Sequence, residues 1–429
     1  MRKIKCLVVD NMGILALLCV AIALQIFSMI ELGVDYSIHS DDLSYIKSGI
    51  ELVQNGRITM HGYLSAQAMP GMTFLVAGMV MIFGGGYGLI FALKVLWIIM
   101  SLASILGLYM CVRIFTNKTI SCLSCLFLLA SDFIWMNNVI LTETPVMMIF
   151  IWIVYFSLKL AKTKKWKYFW LLISFYIVGV YFRPNIGIFP VAFFFYLLII
   201  KYDFKLMLKQ GLIASFILIM ALLPWTIRNF MIFDEFLPLG YGMGNPLLLG
   251  TYQGYGFPDD STIDYEKNIY DNLSDEAKLY WKAEGNVDDP LSGYYSLEFD
   301  KLKAEHRMNV WWKTYPRSML YSYLVVKPKT LLYGSFYWGT IFNIPRQVNL
   351  FIRFLELVLF FVSLGLIVFK RKYRKECLLI VSSYAIQVLF YAYSFAFDRY
   401  GQTLYFFRYI IIGIGISLVY DMIKEKKLL

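Results

Sequence analysis

The chain has 429 residues, of which 59% are hydrophobic and 16% charged, with a formal net charge of +11. Soluble domains run at about 45–50% apolar and about 25% charged, so this excess excludes an ordinary soluble protein and indicates an integral membrane protein. The positive charge does not point to nucleic acid. The bases sit in short clusters between apolar runs, as cytoplasmic anchors do.

The N-terminus, "MRKIKCLVVD", is basic and leads into a long hydrophobic run. That run exceeds a signal-peptide core and no small-residue cleavage site follows, so it reads as an uncleaved first span with its N-terminus in the cytoplasm. A spanning helix needs about 20 apolar residues. Ten segments meet this reading, at about 8–30, 87–113, 119–137, 145–161, 168–183, 186–201, 211–230, 348–369, 376–396 and 403–421. Every second connection is basic: Arg2, Lys3 and Lys5 before the first span, then Arg113 and Lys118, the cluster from Lys159 to Lys167, Lys201 to Lys209, Lys370 to Lys375, and Lys424 to Lys427 at the end. The alternation places both termini in the cytoplasm.

Two apolar pieces must then not span. "PGMTFLVAGMVMIFG", Pro70 to Gly84, is short and closed by glycines, and reads as a juxtamembrane helix on the outer side. "SMLYSYLVVKPKTLLYGSFYWG", Ser318 to Gly339, is broken by Lys327-Pro328-Lys329 and is rich in interfacial aromatics. The expected fold is an all-α polytopic bundle of about ten transmembrane helices with outer-face juxtamembrane helices and a large outer region. Its parts are a membrane module over 1–230 with a first outer loop at 31–86, an outer region over 231–347, and C-terminal spans over 348–429. In the outer region "NLSDEAKLYWKAEG", Asn272 to Gly285, reads as a short helix with a Ser or Asp cap.

The six cysteines form no disulfide framework. Cys122 and Cys125 have redox or metal spacing, but they lie in an apolar span and read as small buried side chains. His39, His61 and His306 are the only histidines, and no pair has metal-ligand spacing on one helix. Nothing resembles a nucleotide-binding loop.

The polar groups beside the spans are the candidates for chemistry. Asp41 and Asp42 open "DDLSYIKSGIELVQNG" just after the first span. They serve either as helix-start caps or as a working pair in which one carboxylate is a general base and the other binds a metal or orients the acceptor. Glu143, in "NNVILTETPVMM", sits at the outer start of a span, before Pro145. Arg183 in "YFRPN", Arg228 in "PWTIRN" and Arg399 in "DRYGQ" fall at outer ends of spans, against the positive-inside tendency. They either snorkel to headgroups or bind a phosphate with bidentate contacts. Arg353 and Glu356, three residues apart inside the eighth span, read as a local ion pair in preference to cavity-lining groups.

Taken in order, "DDLSYIKSGIELVQNG", "AMPGMTFLVAGMVMIFG", "NVILTETPV", "YFRPN", "LPWTIRN" and "DRYGQTLYFFRYIIIGIGI" resemble the GT-C membrane glycosyltransferases. The resemblance is to the family 39 and aminoarabinose-transferase-like group, which includes protein O-mannosyltransferases. It covers about residues 8–230 and, less closely, the last two spans; the region 231–347 matches no pattern. One motif departs: "AMPG" stands where the family carries paired prolines, often after a histidine. The resemblance implies a polyprenyl-phosphate-sugar donor lying in the membrane and inverting transfer to an envelope glycan, lipid or protein acceptor on the outer face of the plasma membrane. It carries the family's first-loop aspartate to Asp41 by the D-x-x-x-Y spacing to Tyr45, with Asp42 competing for the role. The second acidic position falls on Glu143 and the arginine before the last span on Arg399, beside Tyr400. Arg183 and Arg228 match positions where similar sequences carry a base. Donor-phosphate contacts are thus expected from Arg183, Arg228, Arg399 and Tyr400. No cofactor is required by this reading; a divalent cation such as Mg or Mn, if used, would sit on Asp42 and Glu143. The competing readings are a lipid-linked sugar flippase, which would show mid-membrane polar groups and repeats, and a polysaccharide polymerase or ligase, with its chemistry in the large outer loop.

Overall fold

A computed structural model describes residues 11–281 and 289–426. The basic residues before position 11, Cys6, Lys427 and the 282–285 end of the expected outer helix lie outside the described residues. The protein is an all-α integral membrane bundle. Among the described residues, seven helices are long and apolar enough to cross a membrane. They are α1 (Met12–Leu32), α4 (Tyr87–Val112), α7 (Glu143–Thr163), α10 (Phe204–Phe233), α16 (Arg346–Lys370), α17 (Arg374–Tyr393) and the continuous stretch of α18 (Asp398–Gln402) and α19 (Phe406–Lys426).

Shorter apolar helices account for the other expected spans. The 119–137 segment is broken into α5 (Lys118–Cys125), a 3-10 turn at Leu126–Leu129 and α6 (Ser131–Met136). The 168–183 segment is α8 (Trp166–Phe182), and 186–201 is a 3-10 turn at Pro184–Ile188 followed by α9 (Phe189–Ile199). Of the two pieces expected not to span, Pro70 to Gly84 is a separate short helix, α3 (Gly71–Phe83), whereas Ser318 to Gly339 begins in a helical run that is not broken at Lys327-Pro328-Lys329, because the proline falls in the first turn after a π-helical turn. The helix expected near Asn272 is α12 (Asp275–Trp281), with Ser274 Oγ accepting from the Ala277 N–H at 3.1 Å.

All the long connections emerge at one end of the bundle, here termed the loop face. Between α1 and α4 lie α2 (Asp41–Asn55), a two-residue hairpin of β1 (Thr59–Met60) and β2 (Tyr63–Leu64), and α3. Between α10 and α16 lie α11 (Gly244–Gly250), α12, α13 (Pro290–Thr314), α14 (Pro316–Tyr321), a π-helical turn at Ser322–Val326 and α15 (Lys327–Tyr333).

Two glycines let the first loop seat closely. A Cβ on Gly49 would strike Val76, so α2 lies directly on α3, and one on Gly71 would meet the Tyr181 carbonyl oxygen at 2.5 Å, so α3 abuts the end of α8. α7 is the axis of the bundle: 83% of its most apolar window is buried, against 11% for α10, which faces lipid.

The bundle also buries ions. Arg353 reaches from α16 to Asp132 on α6 (Nη2–Oδ1 2.7 Å, Nε–Oδ2 3.1 Å), to Glu356 (2.6 and 2.7 Å) and to the Tyr409 hydroxyl on α19 (2.5 Å). Ser335 Oγ donates to Asp132 at 2.9 Å. Arg408 donates to the Tyr384 hydroxyl on α17 at 2.7 Å and lies 4.0 Å from Glu356. The sequence reading of an Arg353–Glu356 pair is met, within a larger cluster of two cations and two anions. Breaking such a cluster from one side leaves charges uncompensated in a low-dielectric interior. Arg353→Met is expected to cost about 3–5 kcal/mol, read as a lower unfolding midpoint in detergent.

Lys327 lies outside the spans and is fully buried, with its ammonium 3.1 Å from the Ser394 carbonyl oxygen and 3.5 Å from the Tyr323 ring centre. Burial pulls its pKa from 10.5 down to about 7. The unfolded chain therefore binds more protons than the folded one between about pH 7 and 10.5, so this group makes folding more favourable as pH rises through that window. Lys327→Met should remove that part of the rise, which melting curves of both proteins from pH 6 to 10 would show.

Candidate functional site

Seven separate stretches meet at the loop face around a cavity of about 420 Å3, whose walls include Asp41, Tyr45, His61, Gln67, Arg183, Trp338, Tyr391, Arg399 and Tyr400. Asp41 and Asp42 both occupy the first turn of α2, where unpaired N–H groups favour carboxylates. Their side chains then diverge. Asp42 is 2% exposed and is saturated: Oδ2 accepts from Ser37 Oγ (2.7 Å) and the Ile38 N–H (2.9 Å), and Oδ1 from the Ser40 N–H (2.9 Å). It shapes the 37–40 turn, in which His39 takes a left-handed conformation with φ 54°. Asp41 turns to the cavity, and Arg399 Nη2 donates to its Oδ2 at 2.6 Å.

Glu143 opens α7 and is 1% exposed. Its Oε1 accepts from Arg183 Nη2 and lies 3.5 Å from Arg399 Nε. Arg183, the residue that ends α8, is fixed further by Thr142 Oγ1, which accepts from Nη2 at 2.8 Å and Nε at 3.0 Å, and by the Tyr391 hydroxyl at 3.3 Å. Tyr391 stacks on Tyr400 (centroids 4.8 Å, planes 21° apart), and the Arg183 guanidinium lies 4.9 Å from the Tyr400 ring centre. The guanidinium of Arg399 lies 5.3 Å from the same ring. A charge-balanced row results, Asp41–Arg399–Glu143–Arg183, backed by two stacked phenols. Glu143 Oε2 and Arg399 Nε are buried with no hydrogen-bond partner among the described residues. Burial, reinforced by Asp41, pushes the Tyr45 phenol up, so it stays a proton donor in the cavity wall.

The structure therefore brings together Asp41, Glu143, Arg183, Arg399 and Tyr400, and leaves Asp42 and Arg228 apart. Arg228 does not line the cavity. It donates to the carbonyls of Ser65 (3.0 Å) and Ile58 (3.3 Å) and rests on the Trp225 ring, pinning the hairpin loop to α10. A divalent cation on Asp42 and Glu143 does not fit. Three protein donors already engage Asp42's oxygens, and guanidinium groups flank Glu143. No group of three or more His, Cys, Asp or Glu side chains is placed to hold a metal among the described residues.

Sequence reasoning passed over several members. Thr142 and Tyr391 carry no charge and gave no signal. His61, noted only for lacking metal spacing, has Nε2 3.6 Å from Asp41 Oδ1 and Nδ1 3.0 Å from Ser44 Oγ. Asp132 and Arg408 were legible as charges inside apolar spans, a pattern that marks buried partners.

The chain has the fold of the GT-C membrane proteins. Residues 67–227, under half of the chain, match the family model described as dolichyl-phosphate-mannose-protein mannosyltransferase. Among solved structures, the apo oligosaccharyltransferase of Archaeoglobus fulgidus superposes with a TM-score of 0.55 at 12% identity, over 97% of this chain and 51% of that one. ArnT of Cupriavidus metallidurans, bound to undecaprenyl phosphate, gives 0.45 at 12% identity, over 94% and 77%. Its apo form gives 0.41 at 13% identity, over 95% and 78%. The fold assignment rests on the first of these structures. A sequence comparison with curated proteins gives no match.

The two neighbouring aspartates should separate experimentally. Asp42→Ala strands three donors and is expected to cost about 1–3 kcal/mol of stability, whereas Asp41→Asn should leave the unfolding midpoint nearly unchanged; denaturation of both variants in one detergent checks this.

Proposed function

We propose that the protein transfers a sugar from a polyprenyl-phosphate donor to an acceptor hydroxyl on the outer face of the plasma membrane, with inversion at the anomeric carbon. The observation that carries this reading is one carboxylate, Asp41, facing the same cavity as two guanidiniums, Arg183 and Arg399. The matched family, whose description names a lipid-phosphate sugar, supports the donor class. The alternation of basic connections supports cytoplasmic termini and an outward loop face.

In this mechanism the donor phosphate takes hydrogen bonds from Arg183 and Arg399, which present planar, fixed donors suited to it. Arg399 is then shared or lost as a partner of Asp41, whose carboxylate turns to the acceptor. The acceptor oxygen attacks the anomeric carbon, and its proton passes to Asp41. The bond from that carbon to the phosphate oxygen breaks, and its electron pair leaves with polyprenyl phosphate. The two guanidiniums meet the charge that grows on the departing oxygen. Glu143 holds both in place, and Tyr400 backs them. No step requires Asp42 or Arg228.

Turnover tests the reading directly. Wild-type protein in nanodiscs, given a panel of polyprenyl-phosphate sugars and mixed envelope glycans, should release polyprenyl phosphate. Asp41→Asn should lower that rate by about 100-fold or more. Sugar-lipid movement across vesicles without any release would sink the transferase reading in favour of a flippase.

A further inference from the structure

A second cavity, of about 410 Å3, lies against the first, and Met60, His61, Gln67 and Asn245 line both. Its far wall comes from α12 and α13, in the region for which the sequence offered no pattern. Both volumes fall in the range of small-molecule sites, about 300–1,000 Å3.

The chemistry of the second cavity differs from that of the first. The rings of Tyr280, Trp281 and Phe299 form one side: Trp281 meets Phe299 edge-on at 4.8 Å, and Tyr280 is backed by Tyr295 at 4.9 Å. Side chains with mixed donor and acceptor character form the rest. Asn245 donates to Asp300 at 3.0 Å, and the Lys303 ammonium lies 4.9 Å from the Trp281 ring centre. Ser292 and Ser296 add hydroxyls. A flat apolar face beside planar polar groups matches a sugar ring, which offers C–H faces and a rim of hydroxyls.

Other acceptor classes fit less well. The wall carries one lysine and one aspartate, so it is no anion cradle. An extended peptide would seek a strand edge, but a Cβ at Gly293 of α13 would lie 3.4 Å from the Leu64 carbonyl oxygen, so α13 covers the hairpin there. Serines, amides and charged groups in its walls suit no acyl chain.

We infer that this cavity is the acceptor subsite and that its ligand is a carbohydrate, a neutral oligosaccharide whose terminal hydroxyl passes His61 to reach Asp41. This rests on the transfer reading above and names its acceptor class. His61 stands at the passage, anchored by Ser44 and 3.6 Å from the carboxylate that would take the proton.

The test separates the subsite from the transfer reading. Saturation-transfer NMR is run on the full-length protein in nanodiscs with maltotriose, chitotriose and mannotriose, and with a serine-containing hexapeptide as the rival probe. At least one trisaccharide should bind the wild type and Asp41→Asn alike. Its signal should fall at least fivefold in Trp281→Ala and in Ser296→Trp, which fills the cavity without removing a wall; melting curves confirm that both variants fold. Wild type that binds a trisaccharide through Trp281 yet releases no polyprenyl phosphate sinks the transfer reading and with it the acceptor role, and keeps the cavity as a carbohydrate site. Release of polyprenyl phosphate with no trisaccharide signal, or a signal indifferent to both variants, overturns the subsite alone. Hexapeptide binding lost in Trp281→Ala overturns the carbohydrate assignment in favour of a protein acceptor.

Discussion

Glu143 is the constraint around which the candidate site is organised. A carboxylate buried to this degree is costly unless cations reach it. Two do, and they come from distant parts of the chain: Arg183 from the end of α8 and Arg399 from α18. Arg399 then carries the link to Asp41 in the first loop. One buried anion thus brings four points of the chain together and sets the distance between the carboxylate that faces the cavity and the guanidiniums beside it.

Deeper in the bundle a second charge-balanced cluster is fully buried. Arg353 and Arg408 compensate Asp132 and Glu356, and all four side chains are fully buried. This cluster ties α16, α17 and α19 to the broken helix at α6, and Arg408 also donates to the Leu332 carbonyl of α15. α15 in turn packs under Gly401, so the inner cluster supports the short helix that presents Arg399. Both clusters have balanced charge. They differ in that Asp41, Arg183 and Arg399 of the outer row line a cavity, whereas all four charged side chains of the inner cluster are shut off from solvent.

Much of this was legible in the sequence because membranes enforce simple rules. Apolar length picked out the seven long helices, while three further expected spans, 119–137, 168–183 and 186–201, are shorter helices. The span-end arginines stood out because the positive-inside tendency makes them exceptions, and Glu143 because a carboxylate opens an apolar span. The division between Asp41 and Asp42 was not legible. Adjacent residues in a first helical turn have the same local preferences, and only the 37–40 turn decides which one is consumed as a cap. Arg228 misled for a similar reason: its position at a span end suited phosphate, but the carbonyls of Ser65 and Ile58, far away in sequence, claim it. The 119–137 segment reads as one apolar run, yet it breaks at Leu126–Ala130, and the short helix that follows carries Asp132 inward to Arg353. The region 231–347 carries weak periodicity because tertiary contacts, such as Arg307 with Asp260, Thr251 and the Pro258 carbonyl, hold it instead.

The charge balance of the outer row has a consequence for selectivity. A dissolved anion entering the cavity must share each guanidinium with the carboxylate it already pairs with, so it meets no net positive charge. An anion tethered to a long hydrocarbon has a second source of free energy, about 0.8 kcal/mol for each methylene kept out of water. It is also confined to the membrane plane, which raises its local concentration at the cavity mouth. Under the proposed transfer, pre-paired arginines would favour a lipid-borne phosphate over free phosphate and nucleotides in the surrounding fluid.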